Sequence, residues 1–172
     1  MRKLLSLPVF YSEVLIEINL LYVTSLTRLR KKLSLVSRRI LMRLFKEYII
    51  NLAPISWKRP GINKKTFYDQ QKHEKLAFGI YLRQQHGDAP KFTKALHVEA
   101  NFFIPIPDIL KKREHSRWCS KYPDIDNLQK FIFDAINDTG VIWKDDCIIS
   151  SLVCKKIYDK CPRTHITITE LT

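Results

Sequence analysis

The 172-residue chain predicts an α+β fold, a small β-sheet with packed helices, preceded by a basic helical extension. Two patterns carry that prediction. Runs with apolar residues at alternate positions, clearest over Leu96–Ile104, are interleaved with runs whose apolar residues recur at i, i+3 and i+4, clearest over Leu128–Ile136. Composition agrees: 45% hydrophobic and 11% aromatic residues supply one core without disulfides or a structural metal, and the length suits one domain plus an appendage. With 30 Lys and Arg against 17 Asp and Glu, the net charge is +13, which excludes an acidic or disordered chain. Such a charge calls for a polyanionic partner, nucleic acid first and an anionic membrane surface second.

Residues 1–45 read as the extension. Leu4 to Val23 is largely apolar, but Glu13 and Glu17 lie inside it and Pro8 breaks its start. Each carboxylate at a bilayer centre costs about 2.5–3.5 kcal/mol, so no stable membrane span is expected. No small-x-small cleavage site marks a secretory signal either. Thr24 or Ser25 then caps a helix with Leu26, Leu29, Leu33, Val36 and Ile40 on one face and Arg28, Arg30, Lys31, Lys32, Arg38 and Arg39 largely elsewhere. This basic amphipathic stretch reads as a nucleic-acid arm, a membrane-surface helix or a targeting peptide, and equally as a helix packed on the domain with a solvated basic face. Met42, just ahead of the compact domain, is an alternative start.

The domain spans residues 46–172. Tyr48–Leu52, stopped by Ala53-Pro54, suits a first strand. Trp57-Lys58-Arg59-Pro60-Gly61, continuing to Lys64 and Lys65, combines turn chemistry with four positive charges around an indole, either a phosphate-contacting loop or a solvated one. Asp69 to Gln85 is helix-like, with Leu76, Ile80 and the Phe78/Tyr81/Leu82 group on a broad apolar side and Gly87 as its stop. Leu96–Ile104 is a strand ended by Pro105 and Pro107. Asp108 to Tyr122 has no clean period and carries Lys111, Lys112, Arg113, Arg117 and Lys121, the mark of a long, mobile basic loop. A helix follows with Leu128, Phe131, Ile132, Ala135 and Ile136 as its buried stripe, leaving Phe133 and Asn137 on the outer side as a hint of a DNA or subunit contact. Ile148–Tyr158 and Arg163–Glu170 read as strands of an antiparallel hairpin that holds Asp146 near one strand end.

Cysteine spacing gives no C-x-x-C pair among Cys119, Cys147, Cys154 and Cys161, and the five histidines are scattered. Buried or half-exposed free thiols are expected rather than a zinc site, which places the chain in a reducing, intracellular and cytoplasmic setting.

Chemistry concentrates where the basic chain turns acidic. Asp124 and Asp126 lie at i and i+2, and Asp145-Asp146 follow about twenty residues later. Asp124 ends an extended segment after Pro123, Asp126 is placed to cap the helix, and Lys130 falls one turn beyond Asp126 on the face opposite the apolar stripe. Carboxylates gathered together repel unless a divalent cation neutralises them, and Mg²⁺ prefers oxygen ligands completed by water and phosphate. Such a site hydrolyses phosphodiesters, with Lys130 adding positive charge at the transition state. The competing reading is structural: the aspartates cap a helix and fill a turn, while Lys130 makes an i, i+4 pair with Asp126 or Asp134.

The run Asp124-Ile125-Asp126-Asn127-Leu128-Gln129-Lys130, then Asp134-Ala135-Ile136-Asn137, Trp143-Lys144-Asp145-Asp146 and Lys155-Lys156-Ile157-Tyr158 resembles the RusA family of Holliday junction resolvases in order and interval. The resemblance is strongest over residues 123–158 and looser upstream through Arg59-Pro60 and Tyr68-Asp69. It implies a small α+β endonuclease with a mixed sheet, a homodimer that binds Mg²⁺ and resolves four-way DNA junctions by paired symmetric cuts in recombination and repair. Position by position it implies Asp124, Asp126 and Asp146 as metal-binding catalytic acids, Lys130 as the essential lysine and Asp145 as the less critical acid. Lys58, Arg59, Lys64, Lys65, Lys111, Lys112, Arg113 and Arg117 would then hold the DNA arms through phosphates. Two positions depart from the pattern: Cys147-Ile148-Ile149 follows the acidic pair where a glutamine before an aliphatic residue is usual, and Gly61 stands where a second arginine often follows Arg59-Pro60. A branched-DNA nuclease of broader range, acting on flaps or forks, and a junction-binding module without catalysis are the competing functions.

Overall fold

The computed structural model describes residues 45–63, 66–111 and 117–171. The N-terminal extension with its basic amphipathic stretch, and Lys64, Lys65, Lys112 and Arg113 of the basic loops, lie outside the described residues. In chain order the elements are β1 (Phe45–Ile50), β2 (Gly61–Asn63), β3 (Thr66–Tyr68), α1 (Lys72–His86), β4 (Leu96–Pro105), a single-turn α2 (Asp108–Lys111), α3 (Ile125–Thr139), a 3-10 turn (Asp146–Ile148), β5 (Ile149–Asp159) and β6 (Arg163–Glu170).

The main sheet runs β1-β6-β4-β5. β1 and β4 flank β6 antiparallel, and β4 pairs with β5 parallel, so the sheet is mixed. Alternation decides its faces. Leu96, Val98, Ala100, Phe102 and Ile104 of β4 are buried, as are Ile166 and Ile168 of β6 and Tyr48 and Ile50 of β1, and cross-strand register aligns Val98 with Ile168 and Ala100 with Ile166. These side chains form one core with Phe78 and Leu82 of α1 and Leu128, Phe131, Ile132, Ala135 and Ile136 of α3. The opposite sheet face carries paired polar groups, Lys155 on Glu99 at 2.9 Å and His165 on Glu47 at 2.7 Å, beside apolar Ile49, Phe103 and Val153.

Four expectations are corrected here. Strands β5 and β6 do not form a hairpin: β4 lies between them, because a parallel β4/β5 pair lets α3 cross over and bury its stripe on the sheet. The buried side of α1 is Lys75, Phe78, Gly79, Leu82 and His86, while Leu76 and Ile80 are exposed, since only this narrower stripe meets α3 and the sheet. Phe133 is buried edge-on against Trp143 at 6.0 Å between centroids, and Asn137 Oδ1 accepts the Trp143 indole N–H, because the segment after Gly140 folds back over that side of α3. Finally, part of the 108–122 segment is ordered on β5: Cys119 N–H donates to Lys156 O and Tyr158 N–H to Arg117 O.

Helix ends follow local chemistry. Gly140 adopts φ 59° and closes α3 by donating to Asn137 O, a left-handed position that disfavours side chains with a Cβ. At the end of α1, the Tyr48 hydroxyl meets His86 Nδ1 at 2.7 Å, and burial, followed by nearby Lys46, pushes the His86 imidazole below its ordinary value. All four described cysteines are free: Cys119 is buried, and Cys154 is half-buried with its thiol pushed up to about 11 by burial. Cys147 and Cys161 are exposed, contrary to the buried or half-exposed setting that spacing suggested, because each sits in a turn rather than on a core-facing strand position.

Candidate active site

The site starts at the N-terminus of α3. Asp124 is the cap residue, extended at φ −70° and ψ 143°, and its carbonyl accepts the first intrahelical bond from Leu128 at 3.1 Å. Asp126 lies in the first turn instead of at the cap, because the chain leaving Pro123 is already helical at Ile125. The Asp124 carboxylate makes no capping bond. Both side chains are exposed, and among the described residues neither carboxylate has a hydrogen bond or ion pair. The partial positive charge of a helix N-terminus favours anionic groups at this place, so two adjacent acids are tolerated without a protein partner.

Lys130 follows one turn later, exposed, with Nζ 3.6 Å from the centroid of the Trp57 indole. The segment between β1 and β2 lies along this face of α3. Trp57 N–H donates to Asn127 O at 2.9 Å, and its indole Nε1 donates to Asp134 Oδ2 at 3.0 Å. Asp134 also receives Lys75 Nζ at 3.1 Å, and Lys75 is shared with Asp69 at 2.9 Å. A backbone hydrogen bond from Gln71 leads the causes that hold Asp69 below the usual carboxylate range, whereas its two acid partners outweigh desolvation and raise Lys75. Asp134 therefore pairs with Trp57 and Lys75, not with Lys130. Sequence patterning did not single out this assembly. One signal was present: Lys75 occupies a core position in the stripe with Phe78 and Leu82, where a lysine requires a buried partner.

The second acidic pair sits elsewhere. Asp145 caps the 3-10 turn by accepting Cys147 N–H at 2.8 Å, and that bond is the first cause of its lowered pKa. Asp146 is half-buried in the first position of the turn that leads into β5. Lys156, well along β5, donates Nζ to Pro123 O, which ties the start of α3 to the far half of that strand. Ile149 to Lys156 covers roughly 23 Å of strand at about 3.3 Å per residue. Within one chain, Asp124 and Asp126 are thus brought together with Lys130, and Asp146 stands toward the opposite end of β5. Accordingly, no three His, Cys, Asp or Glu side chains among the described residues gather closely enough to hold a metal ion.

Of the basic candidates, Lys58, Arg59 and Arg117 are exposed, and Lys111 pairs with Asp108 at 2.7 Å. Gly61 has a steric explanation: it pairs with Tyr68 across β2/β3, and the tyrosine ring occupies the space a Cβ would need. An arginine there would displace Tyr68. No described helix is long and apolar enough to cross a membrane.

Residues 51–169 match the family model described as "Endodeoxyribonuclease RusA", which covers β2 to β5 and all but the last residue of β6. The chain belongs to the RusA family. A relative from Lactococcus phage r1t, the "Crossover junction endodeoxyribonuclease rusA", is 29% identical over 133 residues, covering 73% of this chain and 96% of that protein. The RusA match takes in Asp124, Asp126, Lys130, Asp145 and Asp146, as well as Trp57 and Asp134.

Proposed function

We propose that the protein is a Mg²⁺-dependent endodeoxyribonuclease that resolves four-way DNA junctions by paired, symmetric phosphodiester hydrolysis, in recombination and repair. The observation that carries this reading is the pair of carboxylates at the start of α3 that have no partner among the described residues, with Lys130 one turn beyond Asp126, in a RusA-family chain of charge +13. Exposed aspartates facing phosphates repel them, so their presence in a basic DNA enzyme requires a cation between the two. The all-oxygen donor set suits Mg²⁺, which is held by few carboxylates and completed by water and phosphate oxygens. When bound, the ion would polarise the scissile phosphate and lower the pKa of the attacking water. Asp124 and Asp126 would orient the ion, the Lys130 ammonium would offset charge growing on the phosphate, and Lys58, Arg59 and Arg117 would grip the arms. The name of the phage relative supports a crossover junction as substrate.

Asp146 fits the same reading only in an assembly. A four-way junction has two-fold symmetry, and a homodimer supplies two related sites. A dimer that sets the β5 start of one copy against the α3 start of the other would add Asp146 to Asp124 and Asp126 and build two composite sites. The test is cleavage of a mobile four-way junction beside a matched linear duplex, with Mg²⁺ and with EDTA. Symmetric, Mg²⁺-dependent nicks on the junction are expected. Cutting of flaps and forks at the same rate would broaden the substrate, and junction binding without cutting under any divalent metal would replace the enzyme with a binding module. Mixing Asp126→Asn with Asp146→Asn protein then tests the composite site: exchanged dimers hold one intact site and regain nicking of one strand, whereas sites confined to single chains stay inactive.

A further inference from the structure

We infer that Trp57 is the positioning residue for Lys130, a role that rests on the endonuclease reading above. Lysine side chains on exposed helix faces sample many rotamers, and Lys130 has Asp126 one turn before it and Asp134 one turn after it. It pairs with neither. Its ammonium rests on the indole face, 3.6 Å from the centroid, a distance at which the ring quadrupole attracts the cation.

The indole is itself fixed by its surroundings. Asn127 and Asp134 lie two turns apart on one face of α3 with Lys130 between them, and they hold the Trp57 backbone N–H and the indole N–H respectively. On either side of Trp57, buried Gln71 clamps the main chain, donating Nε2 to Ser56 O at 3.0 Å and accepting Lys58 N–H at 2.6 Å. Lys75 of α1, itself paired with Asp69 just ahead of that helix, then fixes Asp134. Every polar group that orients the ring belongs to the folded domain, so the ring plane is set before substrate arrives.

Two consequences follow for the reaction. Lys130 is kept out of an i, i+4 ion pair with Asp126, which leaves that carboxylate available to a cation and the ammonium available to phosphate. The lysine is also pre-ordered at a set place beside the start of α3, which reduces the ordering required as charge develops.

A geometric and a kinetic readout test this together. In reductively ¹³C-methylated protein, the Lys130 signal, identified by its loss in Lys130→Arg, should be ring-current shifted upfield in wild type, less so in Trp57→Phe, and unshifted in Trp57→Leu. Single-turnover junction cleavage by unmethylated Trp57→Leu should fall about tenfold with junction affinity within about twofold, while Trp57→Phe, which keeps an aromatic face, should stay within about threefold. In a Lys130→Ala background, adding Trp57→Leu should lower the rate no further. Trp57→Met, ringless and flexible, replaces Trp57→Leu if that protein does not fold. The role is overturned by an unshifted wild-type signal, by equal losses in the two backgrounds, or by a loss of affinity in place of rate, which would make Trp57 a DNA-stacking residue. A wild-type protein that cuts no branched DNA overturns the endonuclease reading itself, and the role with it, even where the lysine signal is shifted.

Discussion

Asp126 and Asp134 lie two turns apart on α3 in opposite settings. Asp134 accepts an indole N–H and a lysine ammonium from two other elements, and its interactions lie within the fold. Asp126 is exposed, and among the described residues nothing bonds to its carboxylate. A carboxylate that a fold needs is found with its partners in place, because an unsatisfied polar group costs stability when buried. One held at a helix start without partners contributes little to folding and is free to take a ligand. The two aspartates thus separate what α3 does for the domain from what it offers to a substrate.

The sharpest way to break this contrast is Asp126→Asn. Cleavage should fall on the order of a thousandfold, while junction affinity is unchanged or tighter because a negative charge facing phosphates is gone. Thermal stability should stay near wild type. A variant that loses junction binding or unfolds would put Asp126 in the same class as Asp134.

Lys75→Met probes the other side. The side chain of Lys75 is 10% exposed and serves two acids, so its loss should destabilise the domain by about 1–3 kcal/mol in urea unfolding. The pH dependence has a defined sign. Asp69 is lowered in the fold, so its share of the stability is present above its unfolded pKa and disappears as pH falls through the folded value. Lys75 is raised, so its share is present below its unfolded pKa of 10.5 and disappears as pH climbs through the folded value. His86, lowered chiefly by burial, adds a loss as pH drops below its ordinary value of 6.5, where the unfolded chain takes up the proton first. Lys75→Met should remove the Lys75 limb, shrink the Asp69 limb only in part because the Gln71 N–H still holds that carboxylate down, and leave the His86 limb. An acid limb that does not shrink at all would show that the Asp69–Lys75 pair adds no stability beyond the Gln71 bond.

Period and spacing were enough to read β4, β6 and the apolar stripe of α3, because each is a local pattern buried by one face. The order β1-β6-β4-β5 was not legible, since adjacency of β5 and β6 in the chain favours a hairpin and only the burial of α3 between parallel strands reverses it. Phe133 shows the same limit: helical phase put it outward, and Trp143, ten residues on, covers it. In the site, resemblance picked out Asp124, Asp126, Lys130 and Asp146 by spacing, but no spacing could reveal that β5 sets Asp146 apart from the other two. The Trp57, Gln71, Lys75 and Asp134 assembly escaped because its members come from three segments and only Lys75 carries a local sign of it.

The smallest expected effect lies at Asp145, in the second acidic pair. Asp145 and Asp146 are adjacent, yet only Asp145 has an assigned structural task, accepting Cys147 N–H at the 3-10 turn. An asparagine oxygen can accept the same bond, so Asp145→Asn should preserve the turn and keep junction cleavage within about threefold of wild type. Asp146→Asn should instead lose cutting to the same extent as Asp126→Asn, because its carboxylate would be the part of the composite site that asparagine cannot replace. Equal, mild losses in both variants would mean that the turn needs only its hydrogen bonds and that Asp146, like Asp134, serves the fold. A severe loss in Asp145→Asn with Asp146→Asn near wild type would reverse the assignment and move the third acidic position by one residue.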